Sequence, residues 1–193
     1  MHIPTPRIDT LELRVEGISP LIVSRFDEKA KEQMLAAMQT KTRKVKEPKD
    51  PEKEYQRRRY ILADGRDGFP AVGFKAAIIG GARQFEGVTM TALKSQLYVH
   101  GDGAEMLVPI EGDISMREDA VRVGNGVADL RYRPMYWPWT ATVRIDFLSA
   151  LLSPESVVAL ALAGGMGGIG EWRPSAPKSL TGSYGRFTVK EIQ

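Results

Sequence analysis

Apolar and polar positions alternate clearly at two places far apart in the chain. Leu11, Leu13 and Val15 are separated by Glu12 and Arg14, which predicts a half-buried strand. The run Ile18-Ser19-Pro20-Leu21-Ile22-Val23 carries that strand on past a proline. Ala141, Val143, Ile145 and Phe147 predict a second strand over 140–147. Ser24 followed by Asp27 opens a helix signature, with Ala30, Met34 and Met38 at helical spacing. Pro48 and Pro51 break that pattern into a charged loop, followed by a short helical return and a strand over 59–62. Pro70 marks a turn into a glycine- and alanine-rich helix over 72–84. Residues 97–100 and 106–110 flank Gly101-Asp102-Gly103, which predicts a β-hairpin. Ser153-Pro154-Glu155 combines a capping serine, a first-turn proline and an acid near the positive helix end. That helix is expected to stop at Gly164-Gly165, with the last strands over 169–172 and 185–192. Residues 115–139 show no clean period.

The order of elements predicts an α+β fold of the ferredoxin-like or RRM type, an antiparallel sheet with helices on one face. A chain of 193 residues predicts a single domain over 1–193. Within it, 41–59 reads as a charged loop and 116–139 as an inserted, thumb-like excursion beside the hairpin. With 42% hydrophobic residues the core needs no covalent staples, and the absence of cysteine excludes disulfides and thiolate metal sites. His2 and His100 are too few for a histidine metal centre, so no metal or cofactor is expected. No secretion signal opens the sequence, and the apolar run 157–163 is too short to span a bilayer. A cytoplasmic protein without membrane contacts is therefore expected.

The charge is unevenly spread. Residues 41–59 hold nine basic against four acidic side chains, a net +5, which leaves −2 for the remainder of a chain whose total is +3. Such a segment reads either as an electrostatic footprint for nucleic acid or as a plain solvated loop. The excursion interleaves Arg117, Arg122, Arg131 and Arg133 with Tyr132, Tyr136, Trp137 and Trp139. Guanidinium groups pair with phosphate and aromatic rings stack on bases, a mixture suited to single-stranded nucleic acid. Trp137 and Trp139 read equally well as a packing or subunit-contact cluster. Gly165-Met166-Gly167-Gly168-Ile169-Gly170 formally matches a dinucleotide fingerprint but follows a helix instead of opening one. Gly164, Gly165, Gly167, Gly168 and Gly170 are read instead as a glycine loop approaching phosphates, near Trp172, Arg173, Lys178 and Arg186. A simple helix-to-strand connection is the alternative. Lys75 in the first turn of its helix, Arg83 at its far end and Arg25 after the first strand complete the candidate contacts. No nucleophile, base and orienting group come together in the sequence, and neither histidine has an evident acidic partner. A binding protein, not an enzyme, is expected.

The segment from Phe69 to Arg83, which opens Phe-Pro-Ala-Val-Gly-Phe-Lys-Ala-Ala, resembles the proline-glycine turn and helix of the RAMP superfamily, RRM-fold proteins of CRISPR effector complexes. The C-terminal glycine-rich stretch ending in Tyr184-Gly185-Arg186-Phe187 resembles that superfamily's glycine-rich signature. Within the superfamily the likeness is to the backbone subunit that polymerises along guide RNA. The chain is also similar to compact proteins encoded by tailed phages and prophages, which would place it in the host cytoplasm. The resemblance implies non-sequence-specific binding of single-stranded RNA or DNA, with subunits stacking head-to-tail as a homo-oligomer or filament. Lys75 and Arg83 would lie near the strand's phosphates, 116–139 would reach a neighbouring subunit, and 41–59 would clamp the strand. A phage assembly protein that oligomerises without nucleic acid, and a guide-RNA-processing type of nuclease, are the alternatives.

Overall fold

Residues 5–26, 35, 50–123, 127–177 and 179–191 are described in the computed structural model. A single 22-residue strand, β8 (Val127–Leu148), organises them. Its inner half pairs on one side with β1 (Ile8–Gly17), in register from Ile8 opposite Leu148 to Glu16 opposite Thr140. On its other side it pairs with the short β5 (Leu97–Val99), from Leu97 opposite Phe147 to Val99 opposite Ile145. The C-terminal β9 (Phe187–Glu191) flanks β1. Every neighbour is antiparallel, so the order is β9-β1-β8-β5. β1 and β5 therefore run parallel with β8 between them, and β8 and β9 run parallel with β1 between them. β8 and β9 are joined through the helix over 154–167, and β1 and β5 through a longer connection that includes the helix over 71–81. That is the split β-α-β arrangement of a ferredoxin-like α+β fold, as the order of elements predicts.

The helices follow local signals. In α1 (Pro51–Arg57) Asp50 accepts from the Lys53 amide at 3.2 Å. The second helix, α2 (Ala71–Gly81), continues into a 3-10 turn over Ala82–Gln84. In α3 (Met90–Gln96) Thr89 caps the Ala92 amide at 3.3 Å, and in α4 (Pro154–Gly167) Ser153 caps that of Ser156 at 3.2 Å. α2 and α4 lie side by side on one sheet face. Phe74, Ile78 and Ala161 meet Leu13, Val15, Val143 and Val189 there, and Phe74 packs 6.3 Å from Phe187. Alternation holds: Glu12, Thr142 and Arg144 on the opposite face are exposed. Among the described residues no helix is long and apolar enough to cross a membrane.

Three expectations change. α4 does not stop at Gly164-Gly165 but runs to Gly167. Those glycines are packing devices: a methyl group at Gly164 would overlap the Ala77 carbonyl of α2, and one at Gly165 the Phe187 carbonyl of β9. The turn out of the helix falls on Gly168, whose φ of 70° is left-handed. Residues 97–110 do not close as a hairpin. β5 joins β8, whereas β6 (Leu107–Pro109) joins β4 (Asp67–Pro70), itself paired with β3 (Tyr60–Ile61), in a separate sheet. Only an Asp102–Leu107 bridge remains of the expected pairing, because each apolar run takes its partner elsewhere, β5 on β8 and β6 on β4. Residues 169–172 form a bend instead of a strand.

The outer half of β8 pairs with β7 (Glu111–Val123) in a long ribbon, with a bulge between Gly112 and Ile114. The excursion lacks a readable period because both ribbon faces mix charge with aromatics. β2 (Leu21–Ile22) pairs with β8 at Tyr136 and Met135. Trp139 is buried, donating from Nε1 to the Ser19 carbonyl at 2.9 Å, while Trp137 is exposed. The helix expected after Ser24, apart from a few residues, and the first half of the charged loop, 41–49, lie outside the described residues; 50–59 contain α1.

Candidate nucleic-acid interface

The α2 face turned toward the end of α4 carries Gly73, Ala76 and Gly80, with no side chain longer than a methyl. Side chains this small leave a groove of about 410 Å³ between the two helices and the loop over 173–175. Arg83 stands at one end and Arg173 at the other, Ser175 lies beside Arg173, and among the described residues no acidic side chain lines the groove. Arg83 is exposed with no ion-pair partner among the described residues. Arg173 donates from Nη1 to the Gly170 carbonyl at 2.8 Å and from Nε to Ser175 Oγ at 3.1 Å, which fixes its stem and leaves Nη2 open. Arg186 reaches the same helix end, its Nη2 at 3.3 Å from the sulfur of Met166, a residue of the groove wall. Three guanidinium groups thus surround an uncharged, backbone-rich floor. This suits a polyanion: the floor lets a backbone come close, and the rim supplies positive charge.

The ribbon arginines meet a different fate. Arg133 is 1% exposed and donates from Nη2 to Asp119 Oδ2 at 2.7 Å, with Nη1 3.4 Å from Glu171 Oε2. Its guanidinium lies 4.6 Å from the Trp172 ring centre. Arg117 donates from Nε to Asp119 Oδ1 at 2.8 Å and lies 5.4 Å from Trp172 and 5.0 Å from Tyr184. The two arginines share one buried carboxylate, Asp119, and one ring, Trp172, which clamps the middle of the ribbon to the loop after α4. Desolvated cation–π contacts of this kind contribute about 2 kcal/mol. They act against the left-handed backbone of Trp172, φ 52°, a conformation that costs a bulky residue about 1–3 kcal/mol. Arg133 has no open face for a phosphate, and Tyr132 is buried as well; both are structural. Arg131 is half-buried opposite Asp119. For Arg122 the backbone register with Ala128 is described, and Lys178 lies outside the described residues.

The remaining candidates scatter. Lys75 faces away from the groove and donates to the Lys94 carbonyl at 2.9 Å. Arg25 pairs with Glu105. Gly168 and Gly170 abut the chain's own carbonyls, at Gly185 and Ile22 respectively, so the glycine loop spends its close approach inside the fold. Only its helical end, at Gly164, Gly167 and Gly168, reaches the groove.

The sequence pattern misses one site. His100 Nε2 lies 2.8 Å from Asp146 Oδ2, and Thr10 Oγ1 donates to Asp146 Oδ1 at 2.7 Å. Burial pushes the Asp146 carboxyl up, but the bond from Thr10, the adjacent His100 ring and the charge of Arg144 hold it below the usual carboxylate range. The pair depends on the register of β5 on β8, which no local signal announces.

Fold and groove together define an α+β protein with a split β-α-β core and a basic-rimmed interhelical groove. No family model matches the chain, and no curated protein matches it. Among solved structures, the crystal structure of Cmr6 from Pyrococcus furiosus is similar over 96% of this chain and 100% of that chain, at a TM-score of 0.43 and 11% identity.

Proposed function

We propose that the protein binds single-stranded nucleic acid, RNA or DNA, without sequence specificity, and that copies associate head-to-tail along the strand. The observation that carries this reading is the groove between α2 and α4, rimmed by Arg83, Arg173 and Arg186 and, among the described residues, free of lining carboxylates. Affinity comes chiefly from counterion release, so binding weakens steeply with salt. Fluorescence anisotropy of labelled single-stranded RNA and DNA at two salt concentrations tests it, with size-exclusion chromatography of the same mixtures. Salt-sensitive binding that Arg83→Ala weakens, with oligomers growing on longer strands, supports the reading. Oligomers that form equally well without nucleic acid and show no binding would replace it with an assembly role.

The His100–Asp146 pair favours a second reading, metal-free RNA cleavage with His100 as base. RNA incubated with the protein and a chelator decides it. Fragments that vanish with His100→Ala support cleavage, and intact RNA sets it aside.

A further inference from the structure

Trp172 and Arg173 are adjacent in sequence and serve opposite neighbours. The Trp172 ring stacks with Arg117 and Arg133 of the ribbon, whereas Arg173 lines the groove beside α4. The left-handed backbone of Trp172, φ 52°, is what divides them. The segment has few other anchors on the groove side. Ser175 donates its amide to the Gly167 carbonyl at 3.0 Å and Ala176 its amide to the Arg173 carbonyl at 3.0 Å, while among the described residues the Arg173 side chain bonds only to Gly170 and Ser175. On the opposite side the Trp172 carbonyl accepts from the Tyr184 amide at 3.2 Å, and Tyr184 is the second ring under Arg117. The ribbon therefore grips the segment at Glu171, through Arg133, and at the strained Trp172, whose neighbour is a groove arginine.

We propose that the Arg117–Trp172–Tyr184 stack is a positioning device that sets Arg173 in the groove, so that docking of the β7–β8 ribbon governs how tightly the groove holds a polyanionic strand. This rests on the groove being the strand site. Trp172 and Arg117 are positioning residues and touch no ligand. Arg133 is the wrong residue to test, because its removal would strand the buried Asp119. Arg117 is more accessible and shares its load with Arg133.

The test is a double-mutant cycle read by anisotropy with labelled polyuridine and polydeoxythymidine oligonucleotides. Arg173→Ala is expected to weaken binding about tenfold and to lower the salt slope by about one. Arg117→Ala produces a similar loss, and the double variant loses no more than either alone, since both remove the same contact. Arg117→Lys retains the charge but stacks less well and falls between. Additive losses overturn the proposal, as does an Arg117→Ala protein that binds like the parent while Arg173→Ala does not. A second readout needs no ligand: amide hydrogen exchange over 170–175 rises in Arg117→Ala if the stack holds that segment. Unchanged exchange overturns the proposal whether or not the groove binds a strand. Arg83→Ala separates the two failures, because parental affinity in that variant and in Arg173→Ala removes the groove itself as the site.

Discussion

Arg133 and Arg83 carry the same guanidinium into opposite surroundings. Midway along the ribbon Arg133 is 1% exposed, held by Asp119 and laid against Trp172. At the end of α2 Arg83 is exposed, and no acid among the described residues lines the groove beside it. The sequence around Arg133 is the more suggestive of nucleic acid, with tyrosines and tryptophans on both sides, yet that richness serves packing. What separates the two is a carboxylate fourteen positions away, brought across by the ribbon register that sets Asp119 opposite Arg131. A buried cation must be compensated within the protein, and an open one is free to be compensated by a ligand.

The comparison breaks most visibly at Asp119. Asp119→Ala leaves Arg133 buried and short of its partner, and is expected to cost about 3–5 kcal/mol in denaturant unfolding. The double variant Asp119→Leu with Arg133→Met should recover most of that loss, since a buried pair replaced by apolar side chains is often neutral. A small loss in Asp119→Ala would mean that water reaches Arg133 and that the two arginines differ less than their burial says.

The next effect contrasts two glycines of the helix pair. A valine at Gly164 would collide with the Ala77 carbonyl, and forcing the helices apart is expected to cost about 1–3 kcal/mol. A methyl group at Gly80 would meet nothing within 4 Å, although the residue lines the groove. Gly80→Ala should therefore stabilise α2 by up to about 1 kcal/mol, and thermal unfolding of the two variants checks the opposite signs. If Gly80→Ala also weakens strand binding, the groove floor must come within a methyl group of the ligand.

Arg83→Gln sharpens the comparison from the open side. Stability should change by no more than about 0.5 kcal/mol, as for other exposed substitutions, while the salt slope of strand binding falls by about one. Arg133→Gln should act chiefly on stability, lowering the unfolding midpoint because it strands the buried Asp119.

These contrasts also say what can be read from the sequence. The order of strands and helices is legible because Leu11, Leu13 and Val15, and Ala141 to Phe147, alternate against a single buried face, and because Ser153-Pro154-Glu155 states where α4 begins. The end of α4 is not. Gly164 and Gly165 look like a stop signal until the Ala77 and Phe187 backbones are seen against them. Half of the groove is legible through Arg83 and Arg173. The other half, the separation of Lys75 from Arg83 and the consumption of Arg133, depends on how α3 and the ribbon pack, and packing partners leave no local trace. Asp119 gives no signal because a carboxylate in a polar strand reads as an exposed one.

The smallest expected effect lies on the open sheet face, where a paired carboxylate is neither buried like Asp119 nor absent as at the groove. Asp146 accepts from Thr10 and has His100 Nε2 at 2.8 Å, and its carboxyl is held below the usual range despite partial burial. A carboxyl whose folded value is depressed contributes stability above its unfolded value of about 3.9, and that contribution is lost as pH falls toward the folded value. Asp146→Asn should therefore lower the unfolding midpoint slightly at neutral pH and flatten its decline below about pH 4. His100→Gln should keep the Thr10 bond and a shallower acid limb, whereas Asp146→Asn loses both contributions at once. Identical acid limbs in Asp146→Asn and the parent would show that this pair is too solvated to matter, leaving the buried and the open arginines to carry the electrostatic contrast.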